Sequence, residues 1–170
     1  MNRRLWIYSA VGTAAAAGGA WWSVRKTGSS KLGELVWRQS LIQPAGGELQ
    51  MTALRGKPLL LNFWATWGPP CVKEMPMLDA FYKAQRSRGW QVVGLAVDSP
   101  TPVREFLKRV PVSFPIGLAG MQGSELSRAL GNPNGSLPFT VVLNAKGEVM
   151  VQKLGSIEPV DLDTWARLYS

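Results

Sequence analysis

The feature that most constrains this chain is the run Leu59-Leu60-Leu61-Asn62-Phe63-Trp64-Ala65, bounded by Gly56-Lys57-Pro58 and by Pro69-Pro70. A strand covered on one face alternates apolar and polar residues. A run that is apolar at nearly every position suits a central strand covered on both faces. The proline pair then opens a helix, because a proline in the first turn gives up an N–H that has no partner there anyway. Met75, Leu78 and Tyr82 keep helical spacing, and Gly89 ends the helix.

The same reading continues along the chain. Gln91 to Val97 is a second buried strand. Thr101-Pro102 starts a helix with Val103, Phe106, Leu107 and Val110 on one face. Phe114 to Leu118 suits a short strand, and Ser124 to Leu130 a short helix closed by Gly131. Phe139 to Leu143 and Val149 to Leu154 form a hairpin around Asn144-Ala145-Lys146-Gly147. Val160, Trp165 and Leu168 fall on a last helix. Strands alternating with helices and ending in a hairpin predict an α/β sandwich with a mixed sheet.

The N-terminal segment reads differently. Leu5 to Val24 carries no charge over twenty residues, about the length that spans a bilayer as a helix. Arg3 and Arg4 precede it, and Arg25 and Lys26 follow it. Residues 1–24 are expected to be a retained signal anchor or a cleaved signal peptide. Ala15, Ala17, Gly18 and Ala20 offer small residues for cleavage. Asn2-Arg3-Arg4-Leu5-Trp6-Ile7 has the look of a twin-arginine export signal, and a general signal is the alternative. Either way the globular part is expected outside the cytoplasm. Residues 25–35, with Gly28-Ser29-Ser30, read as a linker, and residues 36–170 as the folded domain.

Charge and composition exclude several classes. The net charge is +8, of which residues 1–31 hold +5 without one acid. The basic character is thus a matter of membrane topology, and no basic stripe interleaved with aromatics points to nucleic acid. The chain has no histidine and one cysteine. A His or Cys metal site, a haem attachment motif and a Ser-His-Asp triad are therefore excluded, and no cofactor is expected. Any covalent thiol chemistry must be monothiol or intermolecular.

Asn62-Phe63-Trp64-Ala65-Thr66-Trp67-Gly68-Pro69-Pro70-Cys71 resembles the strand, turn and helix of the thioredoxin superfamily. It is most similar to the extracytoplasmic TlpA/ResA type, whose motif reads W-C-x-P-C. Leu54-Arg55-Gly56-Lys57-Pro58 before the strand agrees with this resemblance, as do Glu74 and Pro76 after the cysteine. So do an insertion at about 98–125 and Ser136-Leu137-Pro138-Phe139, where that family has a cis-proline. The resemblance covers roughly residues 35–170. It implies a thioredoxin-like three-layer sandwich with a central insertion, here preceded by the hydrophobic N-terminal helix.

The departure lies at position 68. The family's first cysteine sits at the helix N-terminus as a thiolate and attacks a substrate disulfide; the second then resolves the mixed disulfide. Here Gly68 stands at the first position and only the resolving cysteine, Cys71, remains. The resemblance makes Cys71 and Glu74 the catalytic candidates, with Glu74 sharing the helix face of Cys71 and managing a proton. Asn62 takes the place of a buried aspartate. Trp67, Gly68, Pro69, Pro70, Leu137 and Pro138 border the implied substrate groove, whereas Trp64 belongs to the core. Residue by residue, plainer readings stand alongside. Cys71 is a small buried apolar residue, though a glycine at 68 would expose it somewhat. Glu74 is a solvated charge near a helix start. Pro138 is a turn proline. A one-cysteine peroxidase of related fold needs a threonine three residues before the cysteine, where Gly68 stands.

Two functions follow as expectations. One is a membrane-targeted thiol-disulfide oxidoreductase of disulfide-reductase type, working through one cysteine with an external thiol such as glutathione. Its clients by resemblance are extracytoplasmic protein disulfides, including those of cytochrome c and copper-site biogenesis, and residues 5–24 would hold it at the inner membrane. The other is a redox-inactive thioredoxin-fold binding module.

Overall fold

A computed structural model describes residues 30–169. The expected hydrophobic helix and export signal of residues 1–24 lie outside the described residues. Among the described residues, no helix is long and apolar enough to cross a membrane.

Helix α1 runs over residues 30–37. It leads into a small hairpin, β1 (Ser40–Ile42) and β2 (Glu48–Gln50), and a 3-10 turn at Met51–Leu54. The apolar run forms β3 (Leu59–Trp64), and all six of its residues are buried. Then come α2 (Pro69–Gln85), β4 (Gln91–Ala96), α3 (Pro100–Arg109), β5 (Ile116–Leu118) and α4 (Gly120–Ala129). The chain closes with β6 (Phe139–Leu143), β7 (Val149–Leu154) and α5 (Pro159–Tyr169).

The seven strands form one sheet in the order β2-β1-β5-β4-β3-β6-β7. β3 pairs parallel with β4 and antiparallel with β6, so the sheet is mixed and β3 lies inside it. Side-chain alternation then sends Leu60 and Trp64 to one face and Leu59, Leu61 and Phe63 to the other. The first set packs with Met75, Leu78, Phe106 and Trp165, on the side of α2, α3 and α5. The second packs with Val36, Trp37 and Leu126, on the side of α1 and α4. This two-sided cover explains the unbroken apolar run, and it gives the three layers expected.

Two boundaries differ from the sequence reading by four residues or more. Residues 30–35, expected within a linker, are helical and belong to the fold. Leu32, Leu35, Val36 and Trp37 supply an apolar face that packs on the sheet, and this outweighs the loop character of Gly28-Ser29-Ser30. Helix α4 starts at Gly120, four residues before the expected Ser124. On α5 the buried residues are Leu162, Trp165 and Ala166, while Val160 and Leu168 are exposed. The β1–β2 hairpin is the part that periodicity did not indicate, because three-residue strands are too short to display a period.

Candidate active site

The site is built where β3 gives way to α2. Gly68 is the N-cap of α2, and Pro69 and Pro70 fill the next two positions. A helix start ordinarily offers several free N–H groups to an anion. Here the two prolines remove two of them, and the N–H of Val72 is taken by the Gly68 carbonyl at 3.1 Å. The N–H of Cys71 is what remains of the first turn.

Cys71 is fully buried, with no exposed surface. The expectation that glycine at 68 would uncover it is therefore corrected: Leu60, Met75 and other apolar side chains close around the thiol. Burial pushes the Cys71 thiol above its ordinary range, and the negative charge of Glu74 adds to the rise. Main-chain hydrogen bonds from Ala65 and from Cys71 itself oppose both. A Cβ built on Gly68 would lie 2.9 Å from Sγ of Cys71. Gly68 has φ −94° and ψ 105°, extended geometry open to any residue, so glycine is not required there by the backbone.

Glu74 is 3% exposed, too buried for a solvated surface charge. Asn62 Nδ2 donates to its Oε1 at 2.8 Å, and the Ile157 main-chain N–H donates to its Oε2 at 3.1 Å. Asn62 Nδ2 also donates to Thr140 Oγ1 at 3.2 Å. This polar island joins β3, α2, β6 and the loop before α5 inside an apolar core. Burial pushes the Glu74 carboxyl up, and the two donors pull it back only in part. A cleft of about 280 Å³ reaches Glu74 between α2 and the loop before α5, lined by Pro70, Lys73, Met77 and residues 156–159.

The Leu137–Pro138 peptide is cis. Phe63 pairs antiparallel with Phe139, so Pro138 lies level with the end of β3, where the chain turns toward Cys71. Pro138 is buried and Leu137 half-buried. The Pro138 carbonyl accepts from the Gly155 N–H at 2.9 Å. Trp64 is buried in the core, its ring 5.2 Å from that of Phe106, whereas Trp67 is 68% exposed. The turn carrying Trp67 is anchored on Asp98, whose Oδ2 accepts from the Thr66 N–H at 2.9 Å and from Thr66 Oγ1 at 2.6 Å.

Cys71 and Glu74 thus share the buried side of α2, and Gly68 faces the thiol. Pro69 and Pro70 are exposed beside Trp67. Thr140, Asp98 and Asn132 were missed in the sequence. Thr140 was open to inference: once β6 pairs with β3, it stands directly opposite Asn62. Asn132 and Asp98 carried no local signal, since loop Asn and Asp residues are common.

A sheet covered on both sides, with a helix-borne cysteine at the end of its central strand and a cis-proline level with that end, defines a thioredoxin-like fold and site. The chain belongs to the Redoxin family, which matches residues 33–164. It is 32% identical over 114 residues to the thiol-disulfide oxidoreductase ResA of Halalkalibacterium halodurans, covering 66% of this chain and 62% of that protein. ResA of Bacillus anthracis is 30% identical over 111 residues, covering 65% and 62%. The match thus spans less than two thirds of the length of these relatives. A thioredoxin-family thiol:disulfide interchange protein of Chlorobium tepidum superposes with a TM-score of 0.67 at 29% identity, covering 77% of this chain and 92% of that one. A thioredoxin-related protein of Neisseria meningitidis serogroup B gives 0.64 at 31% identity, covering 77% and 98%.

Proposed function

We propose that this chain is an exported, membrane-held thiol-disulfide oxidoreductase that reduces protein disulfides through Cys71 alone, with an external thiol completing the cycle. The observation that carries this reading is the pairing of Cys71 with a buried carboxyl of raised proton affinity, Glu74, on one side of α2. A merely structural cysteine needs no such neighbour. Buried carboxyls are costly and are kept where a proton must be held.

The step balances as follows. Glu74 accepts the Cys71 proton, and the thiolate attacks one sulfur of a client disulfide. A Cys71–client mixed disulfide forms, and the other client sulfur leaves as a thiolate that takes up a proton. An external monothiol attacks the mixed disulfide, freeing the second client thiol and leaving Cys71 bonded to the small thiol. A second equivalent restores Cys71 and departs as the oxidised small thiol. Two external thiols are consumed for each client disulfide reduced. Clients of cytochrome c and copper-site assembly, contacts through Trp67, Leu137 and Pro138, and anchoring by residues 5–24 belong to this reading.

The full burial of Cys71 would also suit a binding module without turnover. Reduction of a protein disulfide by the chain from residue 25 onward, with excess glutathione and a Cys71→Ser control, separates the two. Turnover that vanishes in Cys71→Ser supports the oxidoreductase. Turnover equal in both overturns it.

A further inference from the structure

The segment that delivers Leu137 and Pro138 is held by one side chain. Asn132 is fully buried. Its Nδ2 donates to the Ser136 carbonyl at 2.8 Å and to Ser127 Oγ at 2.7 Å, and its Oδ1 accepts from the Ser136 N–H at 3.1 Å. The carboxamide therefore pairs with both main-chain groups of Ser136, as a neighbouring strand would. Only one amide orientation serves, because the Ser136 N–H needs an acceptor and the Ser136 carbonyl a donor. Ser127, also buried, ties the carboxamide to α4. The Asn132 backbone joins the same brace, its N–H bonded to the Ser127 carbonyl at 3.1 Å and its carbonyl accepting from the Gly135 N–H at 3.0 Å.

The next residue is left open. Pro138 has no N–H, and its carbonyl is taken by Gly155. No hydrogen bond among the described residues takes the main-chain N–H or C=O of Leu137, which is half-buried beside the cis bond. With both groups of Ser136 turned inward, Leu137 presents an unpaired donor and acceptor, the two-point edge that an extended peptide pairs with.

We propose that Asn132 is the positioning residue of the client-binding edge. By clamping Ser136 it fixes the donor and acceptor of Leu137 for an extended polypeptide segment, and so favours polypeptide disulfides over small ones. This rests on the reading of Leu137 and Pro138 as the client groove.

The test compares two activated disulfides on the full chain: a ten-residue peptide with a central 2-thiopyridyl cysteine, and N-acetylcysteine amide with the same group. The ratio of their reaction rates with Cys71 reports pairing beyond the thiol, whatever the thiol's own reactivity. In wild type the peptide is expected to react about tenfold faster, the scale of one or two net main-chain hydrogen bonds. Asn132→Asp keeps the shape but sets an oxygen against the Ser136 carbonyl. The ratio should then fall to near one through a slower reaction of the peptide, and amide exchange at Ser136 should accelerate at least tenfold. An unchanged ratio with Ser136 set free overturns the assignment to Asn132 and leaves the client groove standing. A wild-type ratio near one overturns the groove reading, and the proposal with it. Both rates falling together would mark general damage and also count against it. Should Asn132→Asp fail to fold, Ser127→Ala loosens the carboxamide more gently. A partial fall in the ratio is then expected, and an unchanged ratio overturns the proposal.

Discussion

Gly68→Cys probes whether the site frame is intact, and the geometry allows its outcome to be worked out. In a disulfide, an S–S bond of about 2.05 Å with a near-tetrahedral angle at sulfur puts the Cβ of one cysteine about 3.0 Å from the sulfur of the other. A Cβ at position 68 would stand 2.9 Å from Cys71 Sγ. The backbone is extended there and imposes no strain on a side chain. The two sulfurs should therefore bond with little rearrangement. Closing a loop of four residues stabilises the oxidised form by about 2 kcal/mol on the chain-entropy relation. That corresponds to roughly 4–8 °C in Tm for a domain of this size. The new cysteine would occupy the N-cap of α2, where the helix dipole favours a thiolate. The assays are thiol titration after equilibration with oxidised dithiothreitol, thermal unfolding of both redox forms, and reduction of a protein disulfide with dithiothreitol as donor. The expected result is no free thiol, a higher Tm when oxidised, and turnover well above the parent chain. Gly68→Ala is the control: its Cβ meets the same sulfur without a bond to form, at a cost of about 1 kcal/mol. A folded Gly68→Cys protein that keeps two free thiols under oxidising conditions would refute the reasoning.

Iodoacetamide should label native Cys71 far more slowly than the unfolded chain at neutral pH, with the rate rising only on the alkaline side of an ordinary thiol; fast labelling at pH 7 would contradict its burial. Glu74→Gln tests the buried carboxyl. Because folding raises the Glu74 pKa, its favourable contribution is complete below the ordinary carboxylate value and declines as pH rises through the raised one. The variant should lose that decline and gain relative stability toward alkaline pH in pH-dependent urea unfolding, and a parallel pair of curves would count against it. Asp79 has the opposite sign. Burial pushes its carboxyl up, but Lys83 at 2.6 Å and the N–H and hydroxyl of Ser113, each at 2.6 Å, outweigh this and hold it below the usual range. Its contribution is present above the ordinary carboxylate value and lost as pH falls through the lowered one. Asp79→Ala should therefore cost about 1–3 kcal/mol at neutral pH, and less in acid, by chemical denaturation.

The central layer was legible because burial on both faces writes itself into composition. β3 and β4 could hardly be anything but inner strands, and the prolines and glycines bounding α2 marked its ends. The cysteine, the glutamate and the cis-proline were found by their order along the chain and by the resemblance. What stayed hidden depends on pairing across the sheet or on loop closure. Thr140 becomes a partner of Asn62 only through the β3–β6 register. Glu74 reads as a surface charge until the loop before α5 brings the Ile157 N–H to it. Asn132 is one more loop asparagine until its carboxamide is seen against Ser136. The position of α1 was hidden for a different reason: its apolar face begins right after a stretch of linker composition.

The proline pair at the start of α2 has a consequence for motion. A helix end is an ordinary breathing point, because its first residues gain backbone freedom when they leave the helix. Pro69 and Pro70 keep φ near its helical value whether the turn is wound or not, so unwinding releases little entropy there. The wall carrying Cys71 is therefore stiff at its first turn. Gly68 ends the turn held by Asp98 and lies against the thiol, so a variant that loosens that turn should quicken reaction at Cys71 without changing the thiol's own acidity.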